Sequence, residues 1–428
     1  MNAELLAEVQ AWIADDPDQK TAVQLTALVA ANDEIALRKY FSGFLQFGTA
    51  GLRGPVGPGP SRMNRAVVGR TAAGIASYMK ARAMTRVVIG RDARYGSEDF
   101  TKESAQIFAG AGFEVFVLSR PLPTPVLAFA TAELKCDVGV MVTASHNPPQ
   151  DNGYKVYIGP TADGIDYSAS QIISPTDGFI AKEITAITSL AKIPRGNNWT
   201  VLGEEIISEY VRRTALLANN PGDLKVVYTA MHGVGTETLQ RVFNHAGFAT
   251  LILVDEQCKP DPDFPTVEFP NPEELGAMDL AIKLAISESA DLVIANDPDA
   301  DRCAVAAKDL AGTWRTLRGD ELGIILGHYI SKTERVVGKT FATTIVSSSA
   351  LEKIAKNCGA NFQETLTGFK YLSKINNLAY GYEEAIGYCV NPSNVNDKDG
   401  ISAALKIAQI NSELISRGSG LFAYLDEI

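Results

Sequence analysis

Runs of consecutive apolar residues alternate along this chain with segments whose apolar positions recur every three or four residues, and the alternation occurs three times. The first round opens with Arg86-Val87-Val88-Ile89-Gly90, which predicts a buried strand. A helix is predicted from about Ser97 to Ala111, closed by Gly112, before a second strand at Val115-Phe116-Val117-Leu118. Thr124-Pro125 has the form of a helix start, with threonine as cap and proline in the first turn. The apolar run Val138-Gly139-Val140-Met141-Val142 is the next strand. A second round follows with a strand at Lys225-Val226-Val227-Tyr228, a helix ending at Ala246-Gly247-Phe248, and a strand at Leu251-Ile252-Leu253-Val254. The third begins at Phe341-Ala342-Thr343-Thr344-Ile345-Val346, with a helix ending near Cys358-Gly359. Ala111-Gly112-Phe113 and Ala246-Gly247-Phe248 hold the same place in their units, between helix and following strand. Upstream, residues 1–40 predict two amphipathic helices: Leu5, Val9 and Trp12-Ile13 share a face, Pro17 ends the run, and Thr21-Ala22-Val23-Gln24 has capping-box form for the second. An arm that packs on the first unit and does no chemistry accounts for them.

Three α/β units of one layout predict repeated domains rather than one large sheet, and 428 residues are too many for a single core. Polar segments near 202 and 313 divide the chain into 1–202, 203–313 and 314–428. Apolar residues make up 46% and charged residues 21%, the balance of a globular protein. A net charge of −11 argues against a nucleic-acid partner, since phosphate backbones require a basic face. No run approaches the roughly 20 apolar residues that span a bilayer. The first twenty residues carry Glu4, Glu8, Asp15, Asp16 and Asp18 instead of a secretion signal's apolar stretch. The five cysteines lack CxxC spacing and make neither a disulfide framework nor a zinc site. The expectation is a cytoplasmic protein, monomer or homodimer, without nucleic-acid or membrane partners.

Chemistry concentrates in loops that follow apolar runs. Thr143-Ala144-Ser145-His146-Asn147-Pro148 leaves a strand in a polar loop, and open α/β sheets bind ligands beyond the carboxyl ends of strands. Pro148, Pro149 and Gly153 forbid a helix directly after it, though an ordinary Ser/Asx turn uses the same residues. Asp297-Pro298-Asp299-Ala300-Asp301-Arg302 follows Leu292-Val293-Ile294-Ala295, and alternating carboxylates in turn backbone can converge on one hard cation such as Mg2+. A solvated acidic turn is the alternative. An EF-hand is excluded, because Arg302 takes the place of its glycine and Lys308 that of its terminal glutamate. Glu383 and Glu384 can accept hydrogen bonds from adjacent hydroxyls of a ligand, or simply begin an acidic helix. Lys155, ten residues beyond Ser145, can move a proton to or from a ligand hydroxyl if its pKa is lowered, or lie exposed on a strand. No Gly-x-Ser-x-Gly elbow occurs, so a serine hydrolase is disfavoured. Gly233-Val234-Gly235 imitates a dinucleotide fingerprint, with Asp255 twenty residues on, but Thr238 replaces the third glycine.

The Thr143–Pro148 segment resembles the phosphoserine loop of the α-D-phosphohexomutase superfamily, the phosphoglucomutases and phosphomannomutases. Asp297–Arg302 resembles its metal loop and Gly381-Tyr382-Glu383-Glu384-Ala385-Ile386-Gly387 its sugar-binding loop, while Phe47-Gly48-Thr49-Ala50-Gly51-Leu52-Arg53-Gly54 is similar to its first signature. Four motifs in family order span nearly the whole chain. The resemblance implies three consecutive similar α/β domains, mixed sheets flanked by helices, around a central cleft. The first would carry the helical arm and phosphoserine loop, the second the metal loop and the third the sugar-binding loop. It also implies a fourth, C-terminal domain whose Arg-x-Ser-Gly-Thr-Glu loop grips the substrate's non-reacting phosphate. Nothing like that loop occurs here, so the expectation is a chain lacking the fourth domain.

The implied reaction moves a phosphoryl group between C1 and C6 (or C5) of a sugar monophosphate, through phosphoserine at Ser145 and a bisphosphate intermediate. The resemblance assigns one Mg2+ to Asp297, Asp299, Asp301 and Ser145, and a sugar bisphosphate as activator. Arg53 and Lys155 fall to acid/base and phosphate-stabilising work, His146 to hydrogen bonding of the phosphoserine, and Arg302 to the transferred phosphate. Glu383 and Glu384 would meet the sugar, and Thr367-Gly368-Phe369-Lys370 resembles a further specificity loop with Lys370 as a contact. Two departures stand out: Pro298 where the family has glycine, and Ala385 where it has a serine that pairs with the first glutamate. The Glu-Glu-Ala-Ile-Gly form resembles phosphopentomutase-like enzymes and glucose-bisphosphate synthases. A bisphosphate synthase or phosphatase using the same residues, or a non-catalytic sugar-phosphate binder, are the competing readings.

Overall fold

The computed structural model describes residues 1–219 and 221–428. Three mixed sheets follow one another along the chain. The first runs, edge to edge, Leu52–Pro55, Asp151–Ile158, Val138–Val142, Arg86–Arg91, Glu114–Leu118 and Thr200–Leu202, with Ser170–Gln171 pairing beside Asp151–Ile158. The second runs Ile252–Leu253, Val226–Thr229, Leu292–Ala295, Ala304–Lys308 and Trp314–Thr316, and the third Asn361–Thr365, Thr340–Thr344, Leu378–Glu383 and Gly387–Cys389. Central strands are buried on both faces because helices cover them: every residue of Val138–Val142, Val226–Thr229 and Leu292–Ala295 is buried. At roughly 1.5–3 kcal/mol for each fully buried valine or isoleucine, these short runs are what fasten the sheets to their helices.

Apolar packing crosses the domain boundaries. One apolar cluster runs from Val88 and Phe129 in the first domain through Phe243 and Ile294 to Tyr380 and Leu405 in the third, while a second joins the first domain to Leu5, Val9 and Trp12 of the N-terminal arm. Among the described residues, no helix is long and apolar enough to cross a membrane. The cysteines at 136, 258, 303, 358 and 389 are free.

Several local expectations are corrected. The arm holds three helices, Ala3–Asp15, Gln19–Ala30 and Glu34–Tyr40, instead of two. Asp18 caps the second by accepting from Lys20 N, so Thr21 lies inside the first turn and its hydroxyl donates to Asp16 Oδ2 at 2.7 Å. Asp33 caps the third and accepts from Ala36 N. The helix Thr124–Glu133 starts one residue early, after Pro123, which leaves the Thr124 side chain free for another partner. The strand expected through Val346 stops at Thr344, leaving Ile345 and Val346 each 57% exposed. The polar segment near 313 is a hairpin turn: Trp314–Thr316 pairs antiparallel with Ala304–Lys308, so that division falls within the second sheet.

The first and third domains meet through polar side chains. Lys374 Nζ donates to Ser170 Oγ and to Gln171 O (2.8 Å), and Gln171 Nε2 donates to Asp397 Oδ2 at 2.9 Å. Burial pushes the Lys374 ammonium down to about 7, with Asp397 and Asp166 recovering only part of the loss. An unfolded lysine titrates near 10.4, so between about pH 7 and pH 10 the unfolded chain holds the extra proton and stability rises with pH. Below pH 7 the cost of burying the charge is fully present. Lys374→Met should therefore raise the thermal midpoint more at about pH 6 than at about pH 10; equal shifts at both pH values would contradict this account.

Candidate active site

The three sheets share a detail that places the site. In each, one strand has a parallel neighbour on one side and an antiparallel neighbour on the other. Val138–Val142 lies between Arg86–Arg91 and Asp151–Ile158, Leu292–Ala295 between Val226–Thr229 and Ala304–Lys308, and Leu378–Glu383 between Thr340–Thr344 and Gly387–Cys389. The loop leaving that strand's carboxyl end carries Ser145 in the first sheet and the three aspartates in the second; in the third, Glu383 ends the strand and Glu384 begins the loop.

Ser145 is 3% exposed, with a left-handed backbone (φ 52°) fixed in part by its own N–H donating to Thr143 Oγ1 at 2.9 Å. Its Oγ donates to Asp297 Oδ2 at 2.7 Å and lies 3.2 Å from His146 Nδ1. Two loops 152 residues apart in sequence thus meet in one hydrogen bond.

All three aspartates are buried, and one carboxylate oxygen of each can be chosen so that all lie within 4.8 Å of one another. Asp299 Oδ2 accepts from Lys155 Nζ (2.7 Å) and Thr124 Oγ1 (2.6 Å), and Asp301 Oδ2 accepts from Lys155 Nζ (2.8 Å) and lies 3.5 Å from Lys398 Nζ. The second oxygens, Asp299 Oδ1 and Asp301 Oδ1, are buried without a hydrogen-bond partner. Buried carboxylate oxygens are costly without a partner. Hard, converging and unsatisfied oxygen donors fit a divalent cation. For Asp297, burial and Asp301 act to raise the carboxyl's pKa, but His146 and Arg302 outweigh them and hold it below the usual carboxylate range.

Lys155 lies on the strand Asp151–Ile158, opposite Met141. Burial alone lowers its pKa, yet Asp299 and Asp301 together overcome burial and raise it. The lowered pKa expected of a general base is not what this pairing produces; Lys155 is held as an ammonium. Arg53, from Leu52–Pro55 on the neighbouring strand, donates to Asn147 Oδ1 at 3.0 Å and so braces the serine loop.

Arg302 crosses to the third domain, donating to Ala385 O at 2.9 Å with Glu383 Oε1 at 4.0 Å. Glu383 is 5% exposed and faces this arginine, but Glu384 accepts from Thr344 Oγ1 (2.9 Å) and Ser347 Oγ (2.8 Å). The two adjacent carboxylates therefore do different work. Gly387 is required here, since a Cβ would lie 2.4 Å from Lys398 Cδ and 2.8 Å from Glu383 Oε1. In the Thr367–Lys370 segment, Thr367 is exposed, Gly368 has φ 114°, and Lys370 Nζ donates to Thr49 Oγ1 of the first signature.

Three residues escaped the sequence reading. Thr124 reaches Asp299, Lys398 faces Asp301, and Arg94 holds the serine loop from behind. An apparent helix cap, a lysine in a polar turn and an arginine after a strand look ordinary in sequence. The Gly233-Val234-Gly235 fingerprint has a packing explanation: a Cβ on Gly233 would fall 2.3 Å from Pro298 Cα, and Val234 N donates to Pro298 O at 2.9 Å.

Comparison with known proteins agrees with this arrangement. Residues 45–174, 207–312 and 318–424 match, in turn, the alpha/beta/alpha domains I, II and III of phosphoglucomutase/phosphomannomutase. The chain is 47% identical over 369 residues to a "Probable phosphomannomutase" of Haemophilus influenzae, covering 85% of this chain and 75% of that protein. It is 38% identical to a phosphoribomutase of Saccharomyces cerevisiae (95% and 71% covered) and 36% identical to a phosphopentomutase of Mus musculus (100% and 74%). A phosphoglucomutase/phosphomannomutase family protein from Burkholderia thailandensis shares the fold, with TM-score 0.74 at 20% identity over 89% of this chain and 79% of that one.

Removing Lys155 leaves two buried carboxylates without their ammonium. Lys155→Met should cost about 3–5 kcal/mol in urea unfolding with EDTA present. Combined with Asp301→Asn, the loss should be smaller than the sum of the single changes, because the two side chains are coupled. An additive double variant would contradict the pairing.

Proposed function

Since the chain belongs to the phosphoglucomutase/phosphomannomutase family, we propose that its phosphosugar mutase chemistry runs through Ser145. The observation that carries the reading is the 2.7 Å hydrogen bond from Ser145 Oγ to the acidic loop. Phosphorylated Ser145 donates its group to a sugar monophosphate between C1 and C6 (or C5), giving a bisphosphate that turns over and returns its other phosphate to the serine. In the return step the Ser145 Oγ–P bond forms and the sugar O–P bond breaks. The Oγ proton passes to the acceptor in reach, His146 Nδ1, and the leaving sugar oxygen takes a proton from Lys155.

Asp297, Asp299, Asp301 and the Ser145 oxygen are the residues that would hold Mg2+. When bound, that ion supplies positive charge to a phosphoryl group carrying about two negative charges. Arg302 and Arg53 add to the charge that meets the phosphate, and Glu383 accepts from a sugar hydroxyl while Glu384 keeps the loop's shape. Lys370 and the Thr367-Gly368 backbone contact the far part of the substrate. A sugar bisphosphate primes the serine, and the protein works in the cytoplasm as a monomer or homodimer. We divide the domains after residue 202 and, moved past the hairpin, after residue 316.

The substrates are hexose or pentose monophosphates, the class named for the relatives above. A panel of glucose, mannose, ribose and deoxyribose 1-phosphates, assayed with trace bisphosphate, identifies the preferred sugar. Ser145→Ala should lower turnover of that sugar by at least about a thousandfold. In some wild-type molecules the Ser145 peptide should carry about 80 Da of added phosphate. Turnover retained in the alanine variant rejects the scheme, and accumulation of free phosphate instead of isomerised sugar marks a phosphatase.

A further inference from the structure

We propose that Arg94 is a positioning residue, a buried clamp that sets the Ser145 loop in its reactive shape; this rests on the phosphoserine reading above. Its side chain is 1% exposed and its guanidinium donates to main-chain carbonyls on both sides of the loop. Nη2 reaches Ser145 O and Asn147 O, both at 2.6 Å, and Nη1 reaches Pro148 O at 2.8 Å and Asp151 O at 3.1 Å. A planar fork with fixed donor directions can hold four carbonyls at once, which an ammonium cannot. The fork is itself aimed. Asp92 Oδ2 lies 3.4 Å from Arg94 Nε, and Asp92 Oδ1 accepts from Arg94 N (3.0 Å) and Ser97 Oγ (2.7 Å). From the second domain, the Phe264 ring stacks 4.9 Å from the guanidinium carbon, and the next residue, Tyr95, donates from its hydroxyl to Asp263 Oδ1 at 2.9 Å.

Two features separate a clamp for the reactive loop from a general fold contact. Ser145 sits in left-handed backbone, which a non-glycine residue holds only when its surroundings insist, and two of the four acceptors are the carbonyls of residues 145 and 147. The same place is used alike in the other sheets. The loop after the parallel neighbour strand supplies Arg94 in the first domain; in the second it supplies Val234 N to Pro298 O, and in the third Ser347 Oγ to Glu384 Oε2. Each holds the loop that carries that domain's chemistry.

The experiment follows the rate at which sugar 1,6-bisphosphate phosphorylates Ser145, read by mass of the Ser145 peptide, in the wild-type chain, Arg94→Lys and Arg94→Ala. A serine displaced by an ångström should react about a hundredfold more slowly in both variants, while KM for the sugar stays within about threefold. Guanidinium ion at millimolar concentration should restore at least about tenfold of the loss in Arg94→Ala and nothing in the wild type. Phe264→Ala keeps all four carbonyl bonds and serves where the arginine variants fold poorly; its rate should fall about threefold to tenfold. Labelling within twofold of wild type in these variants, or a loss that follows unfolded protein and does not respond to guanidinium, overturns the clamp and leaves the mutase reading intact. A wild-type serine that is never labelled overturns both.

Discussion

Three buried carboxylates on one turn cannot persist in a low-dielectric interior unless positive charge meets them, and here most of that charge comes from other domains. Lys155 arrives from the first sheet, Lys398 from the third, and Arg302 bends from the acidic turn itself toward Glu383. The same turn accepts hydrogen bonds from Ser145 and Thr124. Docking of the domains and assembly of the site are therefore one event. A separated second domain would lose the Lys155 ammonium from its aspartates, and a separated first domain would leave Lys155 without its counter-ions.

The repetition of the fold explains how three unrelated chemistries come to face one another. Each sheet changes from parallel to antiparallel pairing beside an equivalent strand, and ligands in such sheets bind beyond the strand's carboxyl end. Such a loop can present reactive side chains: here a serine hydroxyl, three carboxylates and a pair of glutamates. Holding it still is then the task of the loop next door. The identity of that holder differs: an arginine fork and a main-chain amide meet carbonyls, and a serine hydroxyl meets a carboxylate.

Electrostatics also redistributes roles among residues of one type. Glu383 and Glu384 are adjacent in sequence, yet one is buried against Arg302 and the other is tied to Thr344 and Ser347. Lys155 is buried and Lys374 half-buried, but paired carboxylates keep the first charged while three neutral acceptors leave the second titrating near neutrality. Burial by itself would have pushed both the same way.

Alternation of apolar runs with amphipathic segments was enough to predict three α/β units; the loops at 143–148 and 297–302 stood out as polar segments following apolar runs, and 381–387 by its resemblance to a known loop. Boundaries were less legible: a hairpin turn near 313 reads like a linker, and Asp18 competed with Thr21 as a cap because either side chain can accept from a free amide. Thr124, Lys398 and Arg94 were invisible, since their partners lie 175, 97 and about 50 residues away. The sequence by itself determined which loops could do chemistry, because local composition decides which segments cannot be buried as strand or helix. Only the tertiary structure decided which of those loops meet and which residues are charged when they do, because both depend on burial and on counter-charges brought from other domains.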